Sequence, residues 1–365
     1  MRGKSLRRIL APAIEPLSEL MKLITRHFHE TAGVFYHGAA FSYALTAYVF
    51  GWYGLFTDDF LVNSIAVIFL AHGMIIGAYL IHECGHNTIF RSNKANAIVG
   101  RFLNWICGSC YGTFEDIRYK HFRHHMDNDD SVWFVYGDFF EKHPWLARIT
   151  ERLEWAYVPA HEFLMHGIMM FSAFIIPQRR NQRLRQSIVI LIRFSIFISV
   201  AVLWPKVAIG YLIACILMMH VLRFMDALQH DYDSNPILFD ESAPSRFGGR
   251  ETEQQHTFSN PLSFKYNWPN WLVLNFGFHN AHHKRPTVPW YALPAYYKEN
   301  ISDNPGSVIP FIQQIRMYHY HRVFRVLHTG GPYDEVQDVT REAYLEAGRR
   351  GFLYGGNAAS FLTSF

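Results

Sequence analysis

The sequence is short of charged residues and of cysteine. Charged residues make up 18% of its 365 positions, whereas soluble domains average about a quarter. Four cysteines are too few to build a secreted fold from disulfides. The formal net charge of +4 is too small to indicate nucleic-acid binding by itself, and we expect no nucleic-acid partner. An integral membrane protein is therefore the better expectation.

In place of charge, the sequence has four long apolar runs. The first two hold about 20 residues each, the length that crosses the bilayer core as a helix, and the other two are slightly shorter. The four predicted spans are 37–56, 60–81, 187–204 and 207–222. Because each pair is joined by a very short connection, we expect two helical hairpins in an all-α membrane protein. Two further apolar stretches, 97–114 and 160–176, are interrupted by polar residues and are interpreted as interfacial or buried helices.

Basic residues are distributed unevenly around these runs. Four precede the first hairpin and four precede the second: Arg2, Lys4, Arg7, Arg8, Arg179, Arg180, Arg183 and Arg185. The two tight connections contain only Lys206. By the positive-inside rule, both termini are predicted to be cytosolic, in the inner or plasma membrane of a bacterium. Arg193, inside the third predicted span, is expected to snorkel back to the cytosolic side.

The 21 histidines include three clusters. The clusters are His82-Glu83-Cys84-Gly85-His86, His121-Phe122-Arg123-His124-His125 and His279-Asn280-Ala281-His282-His283. On a helix, positions i, i+3 and i+4 share one face, so each cluster can direct two or three imidazoles at one place. Together they offer too many imidazoles for one metal ion. We predict a histidine-rich and carboxylate-poor site suited to iron or zinc, on the cytosolic side.

The first cluster also matches the HExxH pattern of zinc proteases, in which Glu83 would be the general base. That interpretation needs only one further ligand beyond His82 and His86, and it leaves the other clustered histidines unused. A third motif, Cys107-Gly108-Ser109-Cys110, lies in an apolar helix candidate instead of a strand-to-helix turn, so we expect no redox role for it.

The three clusters, in this order around two predicted hairpins, resemble the histidine boxes of the membrane fatty acid desaturase and hydroxylase superfamily. The segments Arg285-Pro286, Pro289–Pro294 and Leu228-Gln229-His230 are also similar to that family. The resemblance implies a non-haem centre of two iron ions that activates O₂ and removes two hydrogens from an acyl lipid or acyl thioester. It also implies a ferredoxin- or cytochrome b5-like electron donor, and a cytosolic helical cap that carries the boxes.

The resemblance further implies nine metal ligands. They are His82, His86, His121, His124, His125, His230, His279, His282 and His283. We expect three further residues to contact the ligands or the metal indirectly, through water or hydrogen bonds: Glu83, Asp226 and His256. If the fourth span continues as a helix, Asp226 and His230 lie on one face, which favours His230 over His256 as the ninth ligand.

We divide the chain into three parts. Residues 1–36 are predicted to be a cytosolic amphipathic segment, residues 37–294 the membrane desaturase domain, and residues 295–365 a cytosolic C-terminal segment. The leading functional hypothesis is acyl desaturation. A hydroxylase or ketolase acting on a carotenoid or alkane is an open alternative, and an intramembrane zinc protease is a weaker one.

Overall fold

The computed structural model describes residues 25–127, 136–230, 250–302 and 307–327. Within these ranges the chain is helical, with three isolated β-bridges and no strand. The helices are α1 (Thr31–Leu55), α2 (Phe60–Gly85), α3 (Asn93–Ile106), α4 (Phe114–Asp127), α5 (Tyr136–Lys142), α6 (Pro144–Trp155), α7 (Ala160–Ile175), α8 (Arg183–Leu203), α9 (Pro205–Asp226), α10 (Arg250–Gln255), α11 (His279–Lys284), α12 (Leu293–Asn300) and α13 (Phe311–Leu327). Short 3₁₀ segments occur at Pro177–Gln182, Trp268–Val273 and Trp290–Ala292. The basic residues before Arg26 and the chain after Leu327 lie outside the described residues.

Three of the four predicted spans fall in helices that are long and apolar enough to cross a membrane. These candidates are Phe60–Gly85, Pro177–Leu203 and Pro205–Asp226. The first predicted span forms the 25-residue helix α1, which is not among the candidates because tyrosine and glycine lower its hydropathy. A fourth span therefore stays a prediction.

Helices α1 and α2 pack as an antiparallel hairpin through small residues. A Cβ atom added to Gly51 would lie 2.5 Å from the Cβ of Leu70, and one added to Gly73 would lie 2.9 Å from the carbonyl oxygen of Ala44. Small residues allow helix backbones to approach this closely in membrane proteins. The turn is fixed by Asp59, whose carboxylate accepts the backbone N–H of Val62 at 2.8 Å. The end of α2 is thereby held near the start of α1.

Helix α8 lies at the outside of the bundle. Only 11% of its most apolar window is buried, against 67% for α2. Large apolar side chains such as Leu191, Ile196 and Val202 are exposed along it. Because a soluble monomer seldom exposes such a continuous apolar surface, this face is suited to contact with lipid chains.

The two interrupted apolar stretches fold as α3 and α7. At 14 and 16 residues, both helices are shorter than the roughly 20 residues that cross a bilayer. The expectation that they are not spans is therefore consistent with their lengths.

The expectation that the fourth span continues helically to His230 is wrong. Helix α9 ends at Asp226, and His230 forms an antiparallel bridge with Thr257. The carbonyl of Gln229 accepts the N–H of Phe258 at 2.7 Å, so contacts with a distant segment replace the next helical turn. Asp226 and His230 do not share a helical face.

Arg193 also differs from its expectation. Instead of snorkelling along the outside of α8, its guanidinium donates to the carbonyl of Trp105 at 3.3 Å and to the hydroxyl of Tyr211 at 3.1 Å. The side chain is therefore directed into the protein, between α8, α9 and the end of α3.

Candidate metal centre

The structure brings all nine predicted ligand histidines together. His82 lies in the last turn of α2, and His86 directly follows that helix. The second cluster lies on α4 and the third on α11. His230 reaches the same place from the turn after α9. Four separate parts of the chain therefore meet at one site, although no two of them are adjacent in sequence.

The first group of ligand atoms belongs to His82, His86, His121 and His282. These atoms all lie within 4.8 Å of one another. The Nε2 atoms of His86 and His121 are 2.7 Å apart. The Nε2 of His125 adds to this group, at 3.1 Å from that of His121 and 3.0 Å from that of His282.

The second group belongs to His124, His230, His279 and His283, and its ligand atoms also lie within 4.8 Å of one another. The Nε2 of His124 is 3.0 Å from that of His230 and 3.2 Å from that of His283. The Nε2 atoms of His230 and His279 are 2.7 Å apart. The bridge with Thr257 therefore places His230 in the group.

This donor set fits metal ions. A neutral imidazole has one N–H and one lone pair, so several Nε2 atoms that converge on one another cannot all be satisfied by hydrogen bonds among themselves. Nitrogen ligands bind a first-row ion such as zinc at about 2.0–2.1 Å, which places neighbouring ligand atoms roughly 3 Å apart. The observed separations of 2.7–3.2 Å match that spacing.

Burial favours the neutral form of these imidazole rings, which is the form that binds a metal ion. Desolvation lowers the pKa of His121, His279 and His282 well below the usual 6.5, and the neighbouring imidazoles lower each pKa further. These rings are therefore neutral at pH 7 and carry the free lone pair that a metal ion requires.

Two side chains of the segment 253–257 contact the far nitrogens of ligand rings. The Nδ1 of His283 donates to the carboxylate of Glu253 at 2.8 Å, and the hydroxyl of Thr257 lies 3.3 Å from the Nδ1 of His230. A carboxylate in this position fixes the proton on Nδ1 and leaves Nε2 free for the metal. Glu253 and His283 also form a third possible metal group with His125.

Sequence reasoning missed Glu253, although a signal was present. Glu253-Gln254-Gln255-His256 is an E-x-x-H pattern, which carboxylate-rich di-iron bundles use for their ligands. Here its carboxylate contacts a histidine ring.

Glu83 is held by groups other than the clustered rings. Its carboxylate accepts the hydroxyl of Thr88 at 2.6 Å and the backbone N–H of Trp290 at 3.2 Å, while its nearer oxygen is 3.9 Å from the Nδ1 of His82. These contacts join the end of α2 to the segment that follows the third cluster.

Asp226 and His256, the other two residues expected to assist the ligands, do not join the histidine groups in the same way. Asp226 is 8% exposed at the end of α9, and its carboxylate interacts with Tyr79. His256 contacts the His230 ring through its backbone, and its own imidazole is not part of the possible metal groups among the described residues.

Apolar side chains cover the site. The ring of Phe276 lies 5.3 Å from the rings of both His82 and His279. A void of about 10 Å³ adjoins the first group and is lined by Tyr79, His82, Glu83, Leu274, Phe276, His282 and Leu293. This is close to the space that one water molecule needs.

The chain was also compared with known proteins. A family model described as fatty acid desaturase matches residues 58–315, which is more than half of the chain and includes all nine predicted ligand histidines. No curated protein matches the chain.

Proposed function

Because the chain belongs to the fatty acid desaturase family, we propose that it desaturates a fatty acyl chain in an O₂-dependent reaction at a centre of two non-haem iron ions. Membership of this family implies an oxidoreductase that acts on lipid in a membrane. In the proposal, the substrate is an acyl lipid or acyl thioester. The electrons come from an external carrier of the ferredoxin or cytochrome b5 type.

The observation that carries this proposal is the division of eight histidines into two groups of four that share no member. Each group by itself has enough nitrogen ligands for one ion, and imidazole ligands suit iron. His125 supplements the first group. A site for a single ion would not need two such sets.

Bound iron would supply the activation of O₂ that is required to attack an unactivated C–H bond, for which no side chain has the chemistry. The protein holds the ligands in place. Glu253 keeps the proton on the Nδ1 of His283, and the β-bridge at Thr257 holds His230 against the second group.

The chain's apolar residues position the substrate and exclude water. Leu274, Phe276 and Leu293 line the void beside His82 and His282, so in the proposal the reacting carbons approach the first group there. The void is too small for an acyl chain, and these side chains must therefore move aside when one binds. A dry site also protects reactive species from water.

The two separate histidine groups support this proposal over zinc-dependent proteolysis, which needs one metal ion. In an HExxH protease the glutamate acts as general base on a metal-bound water. Here Thr88 and the backbone of Trp290 both contact one oxygen of that carboxylate, Oε2, and so join Glu83 to the segment after the third cluster. A hydroxylase or ketolase would use the same centre and is separated from a desaturase by its product.

In the proposal, the metal centre and both termini are cytosolic. Helices α2 and α9 both end beside the clustered histidines, which supports a single side for the centre. The excess of Lys and Arg before each hairpin supports the cytosolic side.

The test is expression in a host that lacks such lipids, followed by mass spectrometry of fatty acids and pigments. We expect an added double bond that depends on O₂ and on an electron donor. The product should disappear in His282→Ala and remain in His29→Ala, which changes an exposed histidine outside the clusters. Hydroxylated or keto products would indicate the alternative oxygenase, and peptide cleavage with one bound zinc would indicate the protease.

A further inference from the structure

A large cavity lies among the membrane helices, apart from the metal centre. Its volume is about 630 Å³, within the range of small-molecule sites. Its walls come from α1, α7, α8, α9 and the turn after α3, and they are mainly aromatic and aliphatic, as at Trp52, Phe163, Phe197 and Met218. None of the nine predicted ligand histidines is among the described residues that line it.

Arg193 places a positive charge in the wall of this cavity. It lies six residues inside the nearer end of the predicted span 187–204, or about 9 Å along the helix axis. That is well inside a hydrocarbon core about 30 Å thick. Because an arginine side chain does not lose its proton in proteins, the guanidinium is a full cation at this depth.

The observed partners of Arg193 do not neutralise it. It donates to the carbonyl of Trp105 and to the hydroxyl of Tyr211, which are both uncharged groups. Among the described residues, no carboxylate forms an ion pair with it.

Two other arginines of the same protein, both buried, form ion pairs with carboxylates. Arg179 is paired with Asp116 at 2.7 Å, and Arg223 with Glu154 at 3.1 Å. Charged side chains within a membrane are expensive and normally paired, so Arg193, which has no carboxylate partner among the described residues, is suited to pair with an anionic ligand.

We propose that this cavity binds a long-chain fatty acid as its free carboxylate, with the carboxylate on Arg193 and the hydrocarbon chain along the aromatic wall. A guanidinium presents paired N–H donors that match a carboxylate. The Tyr211 hydroxyl, which accepts a bond from Arg193, can donate its own proton to the second carboxylate oxygen.

The charge and depth of Arg193 select this ligand over other lipids. A phospholipid would have to draw its headgroup about 9 Å into the hydrocarbon core to reach the guanidinium. A neutral ester, alcohol or quinone would leave the cation without a counter-ion. A single-chain carboxylate is the membrane amphiphile that can fill the cavity and form a neutral pair.

This inference goes beyond the proposed reaction, because a ligand in the cavity contacts no clustered histidine. It is tested without turnover, on full-length protein in phosphatidylcholine nanodiscs under anaerobic conditions. The probe is palmitic acid with a mid-chain diazirine, and the comparison probes are the corresponding alcohol and a diazirine phospholipid. Photolabelled sites are mapped by peptide mass spectrometry.

We expect the acid to label the cavity segments 194–200 and 211–219 more than the alcohol, by about tenfold or more, as the loss of a charge-assisted hydrogen bond predicts. Arg193→Gln should remove this preference, and Arg193→Lys should keep most of it. The control Arg183→Gln changes an exposed arginine of the same helix and should label like the unmodified protein.

Leu212→Trp provides a second variant in case Arg193→Gln does not fold. It fills the cavity from α9 with Arg193 intact, and it should prevent labelling. Equal labelling by acid and alcohol, unchanged labelling in both variants, or labelling only near the third histidine cluster would each overturn the proposal. Equally strong labelling of the same segments by the phospholipid would do so as well.

Discussion

The contact between Glu253 and His283 gives a quantitative prediction about metal affinity. Glu253 is 5% exposed, and its carboxylate accepts the Nδ1–H of His283 at 2.8 Å. A hydrogen bond to a charged partner contributes about 1.5–3 kcal/mol, and loss of such a partner behind a metal ligand typically weakens metal binding about 10–100-fold. Since tenfold corresponds to about 1.4 kcal/mol, the two ranges agree.

We therefore expect Glu253→Ala to weaken the affinity of the second histidine group for iron by about 10–100-fold. Glu253→Gln should lose less, because its amide oxygen can still accept the same proton. The measurement is an anaerobic Fe(II) titration against a chromophoric chelator, with metal content determined on the same samples. Glu299→Ala, at an exposed position on α12, is the matched control.

An unchanged affinity in a folded Glu253→Ala protein would refute this reasoning. It would show that the helix positions alone hold the His283 ring. An equal loss in Glu299→Ala would attribute the effect to the charge of the protein surface instead of to this contact.

Three further predictions concern the ninth ligand, acid stability and topology. His230→Ala should lower bound iron by about half, because its group keeps only three histidines, whereas His256→Ala should retain both ions; elemental analysis showing the reverse would assign the ligand to His256. Burial lowers the pKa of His161 from 6.5 to about 3, so the unfolded state takes up this proton first. As pH falls below 6.5, stability should decline by up to about 1.4 kcal/mol per unit, and His161→Leu should reduce that slope in acid unfolding followed by circular dichroism; an unchanged slope would contradict the assignment. Reporter fusions after Asp58 should face away from the cytosol and fusions at Asp138 should face it, and an outward reporter at Asp138 would be incompatible with the proposed cytosolic centre.

The sequence was sufficient to predict the features that depend on local spacing. The histidine clusters occupy helices or helix ends because their i, i+3 and i+4 positions need only a helix to converge. The predicted spans 60–81, 187–204 and 207–222 lie within long apolar helices for the same local reason.

Features that depend on contacts between distant parts of the chain could not be predicted from local residue spacing. After α9 ends at Asp226, the N–H of Phe258 donates to the carbonyl of Gln229, a contact that no local pattern encodes. Hydropathy suggested that Arg193 reaches the membrane surface, whereas partners on α3 and α9 hold it within the bundle. His230 is predicted from the family resemblance and from a helical relation to Asp226; that relation does not exist, and a β-bridge places His230 beside the second group.

The composition of the two histidine groups has a consequence for biogenesis. Each group combines residues from the first half of the chain with residues of the third cluster, since His282 belongs to one and His283 to the other. A nascent chain therefore cannot complete either group until the ribosome has passed residue 283, which at about 5–20 residues per second follows the first hairpin by many seconds. The helices must insert while the histidines are still metal-free, so iron loading is a late step of maturation that joins the two ends of the membrane domain.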